Sequence, residues 1–214
     1  MADARRFLEN EDFYLRRGLP WRRGYLLHGP PGTGKTSLIR GIASELGLEL
    51  AIVHLTNRHL DDAGLVALLG NAPEHAVLVL EDIDALFIER ESTGASSSIS
   101  FSGLLNAIDG PASQEGRMLF MTTNHPDRLD PALIRPGRVD MQAELGLCGP
   151  EELRRLYLNI FPGDEDGANR FEKSYSAAGL TPADAQRILI GLSNTSGGEN
   201  SLCPLSSREC KAVL

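Results

Sequence analysis

The stretch Gly29-Pro30-Pro31-Gly32-Thr33-Gly34-Lys35-Thr36 restricts what this chain can fold into more than any other. It reads G-x-x-x-x-G-K-T and it stands between two telling neighbours. Before it runs Gly24-Tyr25-Leu26-Leu27-His28, a short apolar segment that reads as a buried strand. After it, Ser37-Leu38-Ile39-Arg40-Gly41-Ile42-Ala43-Ser44-Glu45-Leu46 carries apolar residues at helical spacing. Strand, glycine loop and helix in that order form the context of a phosphate-binding loop. The glycines let successive backbone N–H groups turn inward onto phosphate oxygens, and the helix N-terminus adds the positive end of its dipole. The expected nucleotide-binding set is therefore Gly29, Pro30, Pro31, Gly32, Thr33, Gly34, Lys35, Thr36 and Ser37. In that set Lys35 reaches the β- and γ-phosphates, and the Thr36 hydroxyl ligates Mg2+ beside a bound nucleoside triphosphate.

Composition sets outer limits. The 214 residues suit one domain, or a core domain with a small appendage. With 21 basic against 29 acidic residues the formal charge is −8, which argues against a nucleic-acid partner. A nucleotide is not excluded by that charge, because a phosphate loop supplies its own local positive field. Three cysteines, Cys148, Cys203 and Cys210, are too few and too scattered for a disulfide framework or a zinc site. No apolar run approaches the roughly 18 residues needed to span a bilayer. The N-terminus lacks the apolar core of a signal peptide. The chain reads as a soluble piece, compatible with having been cut from something larger.

Along the chain, residues 4 to 17 suit a short amphipathic helix, ended by Gly18-Leu19-Pro20. Residues 50–55 read as a second buried strand, and Asp61 to Leu69 as a helix opened by acids. Ala76-Val77-Leu78-Val79-Leu80 is an unbroken apolar strand, the pattern of a sheet covered on both faces. Ser92 to Ser100 reads as a mobile loop, Phe101 to Ile108 as a helix, Arg117 to Thr123 as a fourth strand and Val139 to Leu145 as a fifth. Alternating strands and helices predict an α/β fold, a mostly parallel sheet flanked by helices, with ligands beyond the C-terminal strand ends. From Gly149 the period becomes purely helical, with helices over 151–158 and from Thr181-Pro182 to about Leu192. The expected organisation is a linker helix over 1–22, a P-loop core over 23–148, a helical lid over 149–192 and a disordered tail over 193–214.

The third strand ends in Glu81-Asp82-Ile83-Asp84. A P-loop hydrolase needs one carboxylate near Mg2+ and a second that orients the attacking water. Both are expected at the tip of the strand beside the P-loop strand.

Together with the loop at 29–36, the acids at 81–82, Thr122-Thr123-Asn124 at a strand end and Asp130-Pro131-Ala132-Leu133-Ile134-Arg135-Pro136-Gly137-Arg138 resemble the AAA ATPases. The stretches from Tyr14 to His28 and from Phe101 to Gly110 are similar to one branch, the mitochondrial inner-membrane AAA chaperones, and to plant AAA proteins of that branch. The resemblance runs from about residue 5 to 192. It implies a P-loop fold with a small C-terminal lid that closes over the nucleotide, ATP hydrolysis with Mg2+, and translocation of the folded Rieske iron–sulfur protein in complex III assembly.

The resemblance also implies roles for single residues. Most family members carry Asp then Glu at the strand tip, whereas this chain has Glu81 then Asp82, as its branch does. By position Glu81 serves Mg2+ and Asp82 polarises water; successive strand residues point to opposite sides, so the two cannot simply trade tasks. Asn124 matches the sensor between strand tip and γ-phosphate. Arg135 and Arg138 match arginine fingers that act on ATP held by a neighbouring subunit, which implies a homo-oligomeric ring, a heptamer by resemblance or else a hexamer.

Asn57 to Ala76 contains no Phe, Tyr or Trp, so the aromatic pore residue with which AAA unfoldases thread extended chains is missing. That favours a folded protein cargo. An unfoldase or protease component is the alternative, against which stand the missing HExxH site and pore aromatic. A non-hydrolysing scaffold and a nucleic-acid motor are further readings, disfavoured by the intact site and the acidic chain. A membrane anchor and the location at the mitochondrial inner membrane are implied by the family, through a segment that would precede residue 1.

Overall fold

Five strands form one parallel sheet: β1 (Arg22–His28), β2 (Leu50–His54), β3 (Val77–Glu81), β4 (Arg117–Thr123) and β5 (Met141–Glu144). Their order across the sheet is β2-β3-β4-β1-β5, and every neighbouring pair is parallel. The computed structural model describes residues 1–57, 59–73, 75–87, 99–110 and 115–195. Most of the loop expected over Ser92 to Ser100, and the tail expected over 193–214 beyond Thr195, lie outside them.

The chain divides into two units, one made of Met1–Pro30 with Lys35–Leu145, the other of Pro31–Gly34 with the residues from Gly146 onward. In the first unit alternate strand residues sort into two cores, because successive side chains leave a strand on opposite faces. Leu27, Val77, Val79, Met118 and Phe120 pack with Ile39, Ile42 and Ala43 of α3 (Lys35–Leu46) and with Ala4 and Phe7 of α1 (Ala2–Glu9). Leu26, Leu78, Leu80 and Met121 face the other way, onto Leu65 and Leu69 of α4 (Asp62–Asn71) and Leu104 and Ile108 of α5 (Phe101–Asp109). Covering on both faces is why β3 is continuously apolar.

The N-terminal segment forms two helices where one was expected, α1 and α2 (Glu11–Leu15). The break falls at Asn10, whose side chain donates to Arg6 O at 2.6 Å and so competes with the helix ladder. Asp3 fastens α1 to the sheet: it accepts from Arg23 Nε and Nη2 at 3.1 and 2.9 Å and from the Tyr25 hydroxyl at 2.9 Å. Burial pushes against the Asp3 carboxylate, but these donors outweigh it and hold its pKa below the usual value.

One expectation about the sheet needs correction. The acidic strand β3 is not beside the P-loop strand β1; β4 stands between them. The fifth strand is shorter than expected, because Val139 N turns back to Arg135 O at 3.1 Å and leaves the ladder to Met141–Glu144.

The second unit has its own core of Leu153, Tyr157, Ala168, Phe171, Ala185 and Leu189, supplied by α6 (Pro150–Ile160), α7 (Glu165–Tyr175) and α8 (Pro182–Thr195). The helix α7 was not expected from the sequence. Its N-cap is Asp164, which accepts from Gly167 N at 2.8 Å and from the Tyr157 hydroxyl at 2.7 Å. The tip of the glycine loop belongs to this unit: Ala183 N donates to Gly32 O at 3.1 Å.

Candidate active site

All five strands point their C-terminal ends the same way, so the loop after β1 and the tips of β2, β3 and β4 share one edge of the sheet. Two glycines show what the loop requires. Gly29 has φ +137° and a Cβ there would lie 2.1 Å from Leu145 O, so both conformation and space exclude a side chain. Gly34 has φ +90° and open space beside it, so its requirement is backbone shape alone. That shape turns N–H groups inward, as an anion cradle needs.

Lys35 opens α3 and is buried, 8% exposed. Its Nζ donates to Gly29 O at 2.7 Å, Pro30 O at 3.0 Å and Asn124 Oδ1 at 2.7 Å, which uses all three ammonium donors. Burial lowers its pKa, while the negative charges of Asp82 and Asp84 act in the opposite sense. Thr36 Oγ1 donates to Glu81 Oε1 at 2.6 Å. A hydroxyl and a carboxylate in contact at the start of a P-loop helix are a donor set that fits Mg2+, which keeps most of its shell for water and phosphate. Ser37 is exposed and Thr33 is buried.

The two acids are not arranged as neighbours on a strand. The strand ends at Glu81, and Asp82 takes a left-handed conformation, φ +50°. The alternation of side chains therefore stops at Glu81, and the twist at Asp82 re-aims its carboxylate toward Asn124, whose Nδ2 lies 3.5 Å from Asp82 Oδ1. A non-glycine residue in this region is strained, and such strain gathers at functional sites. Burial raises the Asp82 pKa, the charges of Asp84 and Glu81 add to that rise, and Lys35 and His54 pull against it.

Asn124 leaves the end of β4 and bridges Lys35 and Asp82. Its amide orientation follows from chemistry, since an ammonium only donates and the oxygen must face Lys35. The intervening β4 is what places this amide between the P-loop lysine and the acids. Two further residues join the cluster that sequence reasoning did not single out. His54, at the tip of β2, has Nδ1 3.2 Å from Glu81 Oε2. Asp84, 4% exposed, accepts from Thr123 Oγ1 at 2.7 Å and Asn124 N at 3.2 Å. Strand register was the one available signal for His54, which pairs with Glu81.

Neither arginine side chain is bonded to this cluster among the described residues. Arg138 follows the turn that packs on the start of β1, where a Cβ on Gly24 would meet Arg138 O at 1.8 Å. Its guanidinium donates to Asp109 Oδ2 from Nε and Nη2, at 2.8 and 2.5 Å, and to Ala132 O. Arg135 is exposed, and its side chain has no partner among the described residues.

A parallel sheet, a P-loop helix, paired acids and a polar amide at the adjacent strand end define a P-loop nucleotide hydrolase. Residues 25–147 match the model of the AAA family, described as the ATPase family associated with various cellular activities, and the chain belongs to that family. Within it, the similarity runs to the BCS1 branch. The chain is 48% identical over 191 residues to a probable mitochondrial chaperone bcs1 of Schizosaccharomyces pombe, covering 88% of this chain and 42% of the relative. It is 42% identical over 210 residues to mitochondrial chaperone BCS1 of Bos taurus, covering 92% and 50%. An AAA-ATPase of Arabidopsis thaliana is 39% identical over 204 residues, covering 89% and 43%. The chain spans about half the length of the curated relatives it matches. No helix among the described residues is long and apolar enough to cross a membrane.

Proposed function

We propose that this chain is the ATP-hydrolysing motor of a membrane-anchored mitochondrial chaperone or translocase, and that it moves a folded Rieske-type protein during complex III assembly. The observation that carries the ATPase part is the bridge Lys35–Asn124–Asp82 beside the Thr36–Glu81 pair. The chaperone part is supported by the names of the relatives, and the folded cargo by the absence of an aromatic residue from Asn57 to Ala76.

Bound Mg2+–ATP supplies the scissile phosphoanhydride and the cation that offsets its charge. The chain supplies the rest. Lys35 exchanges its hydrogen bonds to Gly29 O, Pro30 O and Asn124 Oδ1 for phosphate oxygens. Thr36 and Glu81 hold the metal side. Asp82 takes the proton of the attacking water, and its raised pKa, set first by burial, makes it a better base than an exposed aspartate. Asn124 orients that water and marks the γ-phosphate. Arg135 and Arg138 are the proposed fingers for a neighbour's ATP; Arg135 is free to reach it, whereas Arg138 must first release Asp109.

The test is steady-state ATP turnover with Asp82→Asn and Glu81→Gln. Asp82→Asn is expected to lower kcat by about 10²–10⁴-fold, the usual contribution of a general base, with nucleotide binding kept. Glu81→Gln is expected to raise the Mg2+ concentration needed for activity. Near-normal turnover in Asp82→Asn with turnover abolished in Glu81→Gln would reverse the two roles.

A further inference from the structure

We infer that Asp84 is a positioning residue for ATP hydrolysis, holding the Thr123-Asn124 turn so that the Asn124 amide spans Lys35 and Asp82. This inference rests on the ATPase reading above.

The sheet ladder between β3 and β4 ends at the pair Leu80 and Met121. Beyond it the two chain segments are joined by a different set of hydrogen bonds. Asp82 N donates to Thr122 Oγ1 at 3.1 Å and Ile83 N to Thr122 O at 3.0 Å. From the far end, Asp84 Oδ1 accepts both the Thr123 hydroxyl at 2.7 Å and Asn124 N at 3.2 Å. Thr123 Oγ1 in turn accepts from His125 N at 3.0 Å. The Asp84 carboxylate thus adds to these ties the one that reaches Asn124 itself, through its backbone N–H.

A buried carboxylate is a costly way to close a turn, because its charge is taken out of water. A neutral acceptor would serve packing equally well. What the carboxylate adds is a charge-assisted bond to the backbone N–H of the residue that bridges the lysine and the proposed base. Lys35 and Asp82 stand on opposite sides of that amide. Freed from Asp84, the turn can rotate the amide out of line with both, and a displacement of about 1 Å at such a position can cost on the order of 10²-fold in rate.

The experiment is a double-mutant cycle on kcat with Asp84→Ala, Asn124→Ala and the pair, run at a protein concentration where turnover per chain has levelled off. Binding of a fluorescent ATP analogue and the thermal midpoint are measured alongside. Asp84→Ala should lower kcat by about 10–100-fold while analogue affinity stays within about threefold. Asp84→Asn keeps an acceptor oxygen without the charge, and its rate should fall between that of Asp84→Ala and that of the unaltered chain. The pair should be no slower than Asn124→Ala alone, since both changes remove one function. Full turnover in Asp84→Ala, or losses that multiply in the pair, would overturn the proposal. If Asp84→Ala does not fold, Thr123→Val replaces it in the same cycle, and multiplying losses there overturn the proposal equally. Absence of turnover in the unaltered chain with the analogue still bound would instead strike at the ATPase reading itself.

Discussion

Arg135 and Arg138 lie three residues apart in one motif, yet the structure gives them different surroundings. Arg138 pairs with Asp109, which Arg22 also approaches at 3.6 Å, and it caps Ala132 O; Arg135 stands exposed. Their substitutions should therefore separate on stability before any question of turnover arises. Arg138→Ala is expected to cost about 1–2 kcal/mol, the scale of removing a partly exposed charge-assisted hydrogen bond together with the cap on Ala132 O. Arg135→Ala should fall within about 0.5 kcal/mol of the unaltered chain, as surface substitutions usually do. Chemical denaturation of the two variants checks this, and equal losses would contradict the structural assignment of Arg138. Residue types in the motif were legible in the sequence, but their partners were not. Asp109 sits 29 positions from Arg138, at the end of α5, and a single sequence carries no signal of that pairing. The same holds for Asp84, visible as a third acid but not as the acceptor for Thr123 and Asn124. The left-handed turn at Asp82 was hidden too, because nothing local marks an aspartate as leaving the strand there.

At the scale of elements, what was legible followed from periodicity. β3 is apolar up to Glu81, and β1 and β4 carry apolar runs, Tyr25–Leu27 and Met118–Met121, within polar ends, so their strand character stands out without context. α7 was missed because its sequence, Glu165 to Tyr175, is polar, and the two residues that anchor it most deeply, Ala168 and Phe171, make a short apolar stripe. Strand order was illegible for a different reason: it is decided by crossover connections, and the insertion of β4 between β1 and β3 leaves no local mark. The cap of α7 yields a pH prediction. Burial raises the Tyr157 phenol, and its bond to Asp164 adds to that, from 10.0 to about 12. A folded-state pKa above the unfolded one means that the native chain holds its proton longer. The contribution to stability is complete below about pH 10 and is lost as pH rises toward 12. Within that window the fall can approach about 1.4 kcal/mol per pH unit, the limit for one proton. Tyr157→Phe should remove this part of the alkaline decline in denaturant stability, and an unchanged slope would show that the phenol does not carry it.

For the whole molecule the question is whether one chain can complete its own site. Arg138 meets β1 at Gly24, near its start, while the glycine loop leaves β1 after His28. Four residues of strand separate them by roughly 13 Å, so the arginine turn is directed away from the phosphates its own loop would hold. The proposed finger Arg138, so placed, serves another copy or none, and the ring proposed from family membership would supply that copy. Turnover per chain should then rise with protein concentration and level off as assembly completes. The decisive comparison mixes two damaged chains. Lys35→Ala removes the phosphate lysine but leaves Arg135 and Arg138; the double substitution Arg135→Ala, Arg138→Ala leaves the loop, both acids and Asn124. Each alone should be slower than the unaltered chain by about 10³-fold or more, the scale of an arginine finger in trans. In a mixture, an intact loop meets an intact finger at some interfaces, and a sizeable part of the activity should return. Turnover that ignores concentration, together with a mixture no faster than its components, would sink the shared site and leave the arginines as structural pieces of the turn on β1.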